Sequence, residues 1–344
     1  MPKKLSNPKR DFLIALVVPL SFLLVGALTL SDYGHNSDEP FHFYRGQAYL
    51  RFFLNGEKDY RNLHPYPRLN DEKCRDNSSD CKSSPPFPAD TGPYVSSDYR
   101  YEDAINQKFK TKGVKIRRSF YQNDSFTFED VVNKEDGHPP LGGILASGTN
   151  YIFYQKLAIL GDIESYHLAE VLAGFLGIVA VSIFTLRNFG LWISLISSLS
   201  IALYPLFFSE SHFNIKDTFL ASFFCISLVL FYFGIKELRW YKIILSAFFA
   251  GLALGVKFNV LFLPFIIVPW LFLHILKLLR KRFKLSKNVF TVALSISFYP
   301  VVTIAVFYLL WPYLWPDPIG NIQRIIGFYR SIGTGTPPEL RKYI

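Results

Sequence analysis

Apolar and polar positions along this chain fall into long separate blocks. Nearly uniform apolar stretches occupy residues 12–30, 167–186, 191–208, 217–235, 242–255, 258–276 and 288–311, and most of the later ones are joined by short polar turns. A helix that crosses the hydrocarbon core needs about 17 to 25 mostly apolar residues. The blocks therefore predict seven spans, with 242–255 the shortest. A cleavable signal peptide is the alternative for 12–30, but its apolar core is long and no small-x-small site follows at SDYGHN. One more stretch, 141–160, carries Thr149, Asn150, Gln155 and Lys156. If it does not cross, the N-terminus, Arg187, the turn from Lys236 to Lys242 and the KLLRKRFKLSK loop all share the cytoplasmic side, as the positive-inside bias requires. If it crosses, the most basic loop faces outward. It is expected to lie at the outer interface as an amphipathic helix.

Four segments follow: 1–30, a cytoplasmic N-terminus and first span; 31–166, a large exterior loop containing the interfacial helix 141–160; 167–311, spans two to seven; and 312–344, an exterior segment. The fold class is an all-α polytopic membrane protein. Composition agrees. Of 344 residues 50% are hydrophobic and 19% charged, against about 25% charged in soluble domains. That excludes a disordered chain, a disulfide scaffold and a collagen-like fibre. The net charge of +10 invites a nucleic-acid reading, but its placement argues otherwise. The cytoplasmic segments hold 14 Lys and Arg against Asp11 and Glu237, whereas 31–166 holds 20 acids against 17 bases. The basic excess is a topology signal, and no nucleic-acid partner is expected. Cys74 and Cys81, in the exterior loop, form a local disulfide or remain two thiols. Cys225, within a span, reads as a packing residue.

Chemistry-bearing residues gather in the outer loops. Asp38-Glu39, in SDEPFHFYRG, follows the first span. It is either a solvated charge pair or a general base that takes a proton from an attacking hydroxyl, directly or through a metal. Phe41, His42, Phe43 and Tyr44 suit a docked, partly dry loop. GHPPLGG (137–143) combines stiffening prolines with glycines that permit close backbone approach; His138 there is a substrate contact or part of a rigid turn. SESHFNIKDT (209–218) places Glu210, His212, Lys216 and Asp217 between two spans, where helix capping and substrate contact are both open. Lys257, in GLALGVKFNV, either snorkels to the interface or neutralises a lipid-linked phosphate. No Walker A loop, dinucleotide fingerprint or nucleophile elbow is present. No histidine shows the spacing of a structural zinc site.

Together these segments resemble the GT-C membrane glycosyltransferases, in particular dolichyl-phosphate-mannose–protein mannosyltransferases and lipid A aminoarabinose transferases. The likeness is carried by Asp38-Glu39 with Phe41-His42-Phe43, by His138-Pro139-Pro140-Leu141-Gly142, by Glu210 with Asp217, and by GLALGVK ending in Lys257. It implies a GT-C-like helical bundle in the plasma or inner membrane. It also implies an inverting enzyme that moves a sugar from a polyprenyl-phosphate carrier to a protein, glycolipid or polymer on the extracytoplasmic face. By likeness, Asp38 is the catalytic base and Glu39 orients the acceptor. His42, His138, Glu210 and Asp217 then shape the substrate site, and Lys257 lies near the carrier. Where the family often has an Arg near the start of the second span, ESYHLAEVLAG offers His167 or Glu170. The insertion at about 55–136 matches nothing known, and such enzymes usually continue through further spans beyond a segment like 312–344. No cofactor is implied with certainty, and assistance by a divalent metal stays open. The alternatives are a transporter or flippase, disfavoured because ionisable groups avoid the predicted midplane and no inverted repeat appears, and an inactive GT-C-like scaffold.

Overall fold

The computed structural model describes residues 7–34, 36–63, 118–123, 125–133, 137–157, 159–280 and 287–333. Cys74, Cys81 and most of the 55–136 insertion lie outside the described residues. Among the described residues there are helices and turns and no strand. The fold is all-α, and its apolar helices make it a polytopic membrane protein.

In chain order, α1 is Pro8–Leu28 and α2 is Glu39–Asn55. The short α3, Phe128–Asn133, precedes α4, Leu141–Asn150, which runs on as a π-helical turn at Tyr151–Lys156. Next come α5 (Asp162–Phe189), α6 (Leu191–Ala202), α7 (Pro205–Phe213), α8 (Asp217–Lys236) and α9 (Trp240–Leu254). A 3-10 turn, Phe258–Phe262, leads into α10 (Leu263–Arg280), followed by α11 (Lys287–Leu309) and α12 (Pro318–Gly333).

All seven expected apolar segments are helical, but they do not make seven full spans. Among the described residues five helices are long and apolar enough to cross a membrane, or six if one bent pair counts as a span. The expected third span is the pair α6 and α7, bent by 59°. Pro205 at the start of α7 has no N–H to donate and pushes Tyr204 out of the helical region, to φ −70°, ψ 113°. The expected fifth span is α9, whose 15 residues cover about 22 Å of a core roughly 30 Å thick.

Helix α5 is the centre of the bundle. Its 28 residues reach about 42 Å, some eight residues more than the hydrocarbon core requires. The surplus is the polar first part, from Asp162 to Glu170, which is buried by protein: Ser165, His167 and Glu170 have no exposed surface. The apolar block read from the sequence starts at 167, so the helix begins five residues earlier than expected. Small polar residues join the helices. The Ser182 hydroxyl reaches the Ala15 carbonyl at 3.0 Å and meets Ser194 at 3.0 Å, linking α1, α5 and α6. Ser227, Ser246 and the Tyr299 hydroxyl link α8, α9 and α11 at 2.9–3.1 Å.

The two ends of the bundle differ. At one end Glu237 sits between Arg187 and Lys242, 2.6 Å from each, and Lys236 donates to Asn188. At the other end, the starts of α2, α4, α5 and α8 converge.

Candidate functional site

Helix α2 begins at the acid pair. Asn36 organises its first turn: its side-chain oxygen accepts from the backbone N–H of Asp38 at 2.8 Å and of Glu39 at 3.1 Å. Its amide group also donates to the Phe213 carbonyl, tying the turn to the end of α7. The two acids then part. Asp38 projects outward, 67% exposed, and pairs with Lys216 at 3.1 Å. Glu39 turns inward to zero exposure. Its Oε2 accepts from the Asn36 N–H at 2.9 Å and lies 3.4 Å from His167 Nε2. Its carboxyl also faces that of Glu170. Burial holds the Glu39 carboxyl well above the usual carboxylate range, against the Asn36 N–H that favours the ionised form. The Glu39 side chain, expected from the resemblance to orient the acceptor, is fully buried.

Helix α4 crosses α2 at small residues. A Cβ added to Gly46 would collide with the Gly143 carbonyl, and one on Gly143 with the His42 carbonyl. Gly142 lies equally tight against Ile215. The close approach that the GHPPLGG glycines anticipate is thus real, and it carries His138 to His42, with ring centroids 6.2 Å apart. Arg45, one turn further along α2, donates to the His138 carbonyl and lies 5.3 Å from the Phe41 ring centre. Burial pushes the His42 imidazole well below its ordinary value, and the charges of Arg45, Lys216 and His138 add to this. His42 is thus a neutral donor and acceptor near neutral pH.

The segment before α8 is held by Asn214. Its oxygen accepts from the N–H groups of Lys216 and Asp217 at 3.1 and 3.0 Å, and its amide group donates to Glu210 and, at 3.1 Å, to Asp217. Asp217 then meets Lys257 Nζ at 2.6 Å. The Leu141 N–H donates to the Gly255 carbonyl at 2.9 Å, which fastens the HPPL turn to the GLALGVK turn. Asp38, Glu210, Asp217 and Lys257 gather at this end with the His42–His138 pair, and Glu39 is buried beside them, whereas His212 packs against the first helix, its Nε2 3.1 Å from the Gly26 carbonyl and from the Thr29 hydroxyl.

The order of the motifs does not reveal Asn36, Asn214 and Tyr329, whose hydroxyl is 3.2 Å from His138 Nδ1. A signal existed for two of them, since an Asn two or three residues ahead of a helix is a recurrent cap. Among the described residues no group of three or more His, Cys, Asp or Glu side chains is arranged to hold a metal ion. With Asp38 engaged by Lys216 and Glu39 turned away, the acid pair does not supply the donor set of a divalent cation.

Residues 137–310 match the model of the dolichyl-phosphate-mannose-protein mannosyltransferase family. The chain belongs to that family. No curated protein and no solved structure gives a significant match. The matched stretch contains the HPP turn, Glu210, Asp217 and Lys257, whereas the acid pair and α2 precede it. Family membership supports a membrane glycosyltransferase of the GT-C type, which the transporter alternative lacks.

Proposed function

We propose that this protein transfers a sugar from a polyprenyl-phosphate carrier to an acceptor hydroxyl on the extracytoplasmic face, with inversion at the anomeric carbon. One observation carries the reading. Asp38 is the outward-facing carboxylate of the pair, and it lies in the same network as Lys216, Asp217 and Lys257. In the proposed reaction the acceptor oxygen attacks the anomeric carbon and Asp38 takes its proton. The bond from that carbon to the phosphate oxygen breaks, and the charge left on the carrier phosphate is met by Lys257 and Lys216. His138 and His42 supply hydrogen bonds to the sugar or phosphate, while Asp217, held with Glu210 by Asn214, fixes Lys257. Glu39 is a positioning residue that keeps the first turn of α2 in place from below. The basic far end, with Arg187, Lys236 and Lys242, supports a cytoplasmic assignment for that side and so an extracytoplasmic one for the site.

Purified protein is assayed with radiolabelled polyprenyl-phosphate sugars and a panel of peptide, glycolipid and polymer acceptors. Wild type is expected to transfer label, and Asp38→Asn to lose about 10²-fold or more of the rate. Equal transfer by both removes Asp38 as the base. No transfer by either returns the chain to the scaffold reading.

A further inference from the structure

The sequence offers His167 and Glu170 near the start of the second span, and the proposed transfer uses neither. They stand three residues apart on α5 and so share one face of the helix, and neither has any exposed surface. That face meets Glu39: His167 Nε2 lies 3.4 Å from Glu39 Oε2, and the Glu170 carboxyl faces the Glu39 carboxyl. Each glutamate is also held by the backbone of a different turn. Glu39 Oε2 accepts from the Asn36 N–H at 2.9 Å, and the Glu170 carboxyl accepts from the Asn214 N–H. The Asn36 turn carries Asp38, and the Asn214 turn carries Lys216, its partner at 3.1 Å. The carboxyl pair thus lies between the two turns that bring Asp38 and Lys216 together.

We propose that Glu170 is a positioning residue that ties the Asn214 turn to the Asn36 turn through a single proton shared with Glu39, and so holds Lys216 beside Asp38. Two carboxyls in contact attract when one proton lies between them and repel when both are ionised. Burial strengthens both effects, because little water screens the pair. The titratable groups around it are Asp38 on α2, His167 on α5 and Glu210 on α7, with His212 of α7 beyond His167. The charges of Asp38 and Glu210 oppose a second negative charge at the pair. Raising the pH removes the shared proton and with it the tie. A glutamine at position 170 keeps the tie without the proton, since its oxygen accepts from the Asn214 N–H and its amide group donates to Glu39. For its effect on transfer, this inference rests on the reading of Asp38 as the base.

The full-length protein, labelled with 13C-glutamate and held in lipid bilayers, gives the test by infrared spectroscopy of protonated glutamate at neutral pH. Glu39→Gln and Glu170→Gln are each expected to lose the intensity of one protonated carboxyl, and the double variant to lose no more than either. Transfer is then followed between about pH 6 and 9. Wild type should decline toward the alkaline end, whereas Glu170→Gln should keep the wild-type rate near neutrality and lose the decline. Glu170→Leu, which has no hydrogen bond to offer, should be about fivefold slower throughout, the scale of one lost hydrogen bond. Unchanged intensity in Glu170→Gln, a further loss in the double variant, or an alkaline decline kept by Glu170→Gln overturns the proposal. A wild type that moves no sugar removes the transferase reading. The infrared intensities and the alkaline decline of the thermal midpoint then still decide whether the tie exists.

Discussion

Two of the buried acids of helix α5, Asp162 and Glu170, lie about two turns apart and are treated in opposite ways. The Asp162 carboxylate accepts from the Ser119 hydroxyl at 2.8 Å, the Phe120 N–H at 2.7 Å and the Asn150 amide at 2.7 Å. Around it, Gln47, Gln122, Gln155, Asn150 and the Tyr166 hydroxyl satisfy one another in a closed set. By contrast, the Glu170 carboxyl meets only the Asn214 N–H and the Glu39 carboxyl, and it has no further donor among the described residues. The two carboxyls face each other, a contact that becomes attractive only when a proton is shared between them. A fully donated carboxylate is what a structural joint needs, and this one fastens residues 118–122 to α2, α4 and α5. Buried carboxyls short of donors cost stability, so their presence directly under Asp38 points to work done for the site.

The largest effect should come from breaking the saturated joint. Asp162→Leu removes the carboxylate that three buried donors share and opens the surrounding amide network, which costs about 3–5 kcal/mol. The thermal midpoint of the purified protein, followed by size-exclusion chromatography after heating, is expected to drop steeply for this variant. A midpoint equal to that of wild type would mean that the network does not hold the loop.

At the unsaturated pair the same kind of substitution should do the reverse. Glu39→Gln keeps the shape, supplies a donor toward Glu170 and removes a charge that burial opposes. Its stability is expected to be neutral or higher by about 1–3 kcal/mol, while sugar transfer falls. The pH dependence separates the cases. The folded state holds the Glu39 proton more tightly than the unfolded state, because burial raises its pKa above 4.5. Its contribution is therefore complete below about pH 4.5 and lost as pH rises through the raised value. His42 acts with the opposite sign. Its imidazole is depressed below 6.5, so its contribution is present above about pH 6.5 and erodes as pH falls below that. Thermal midpoints between pH 5 and 9 should thus lose their alkaline decline in Glu39→Gln and keep their acid decline. An alkaline limb unchanged from wild type would assign it to another group.

Much of this contrast was hidden in the sequence for physical reasons. Apolar blocks show where helices lie, because burial in lipid demands uninterrupted apolar surface, and all seven appear as helices. Their ends are less legible: the apolar block starts at 167, yet α5 starts at Asp162, and Asp162 and Glu164 are buried within it. The break at Pro205 follows from proline geometry but is masked by hydropathy, which stays high across it. The acid pair, HPP turn and lysine were legible as motifs because each is compact in sequence. The division of labour between Asp38 and Glu39 was not, since adjacent residues look alike until Asn36 and the helix start send one outward and the other in. Tyr329 reaches His138 across 191 positions, a distance no local pattern reports.

The smallest expected effect concerns the outward half of the comparison, the ion pair between Asp38 and Lys216. With Asp38 67% exposed and Lys216 20%, the attraction is screened by water, and pairs of this kind contribute about 0–1 kcal/mol. Lys216→Ala should therefore move the thermal midpoint hardly at all, in contrast to Asp162→Leu. Its effect belongs to the chemistry. The ammonium lies 3.1 Å from the Asp38 carboxylate and adds to the positive charge available to a leaving phosphate. Transfer by Lys216→Ala is expected to fall several-fold at low ionic strength. The gap to wild type should narrow toward about 1 M salt, where the Debye length is near 3 Å. A loss of transfer that does not respond to salt would instead make Lys216 a direct ligand of the substrate. A large fall in the thermal midpoint would place the pair with the structural joint at Asp162.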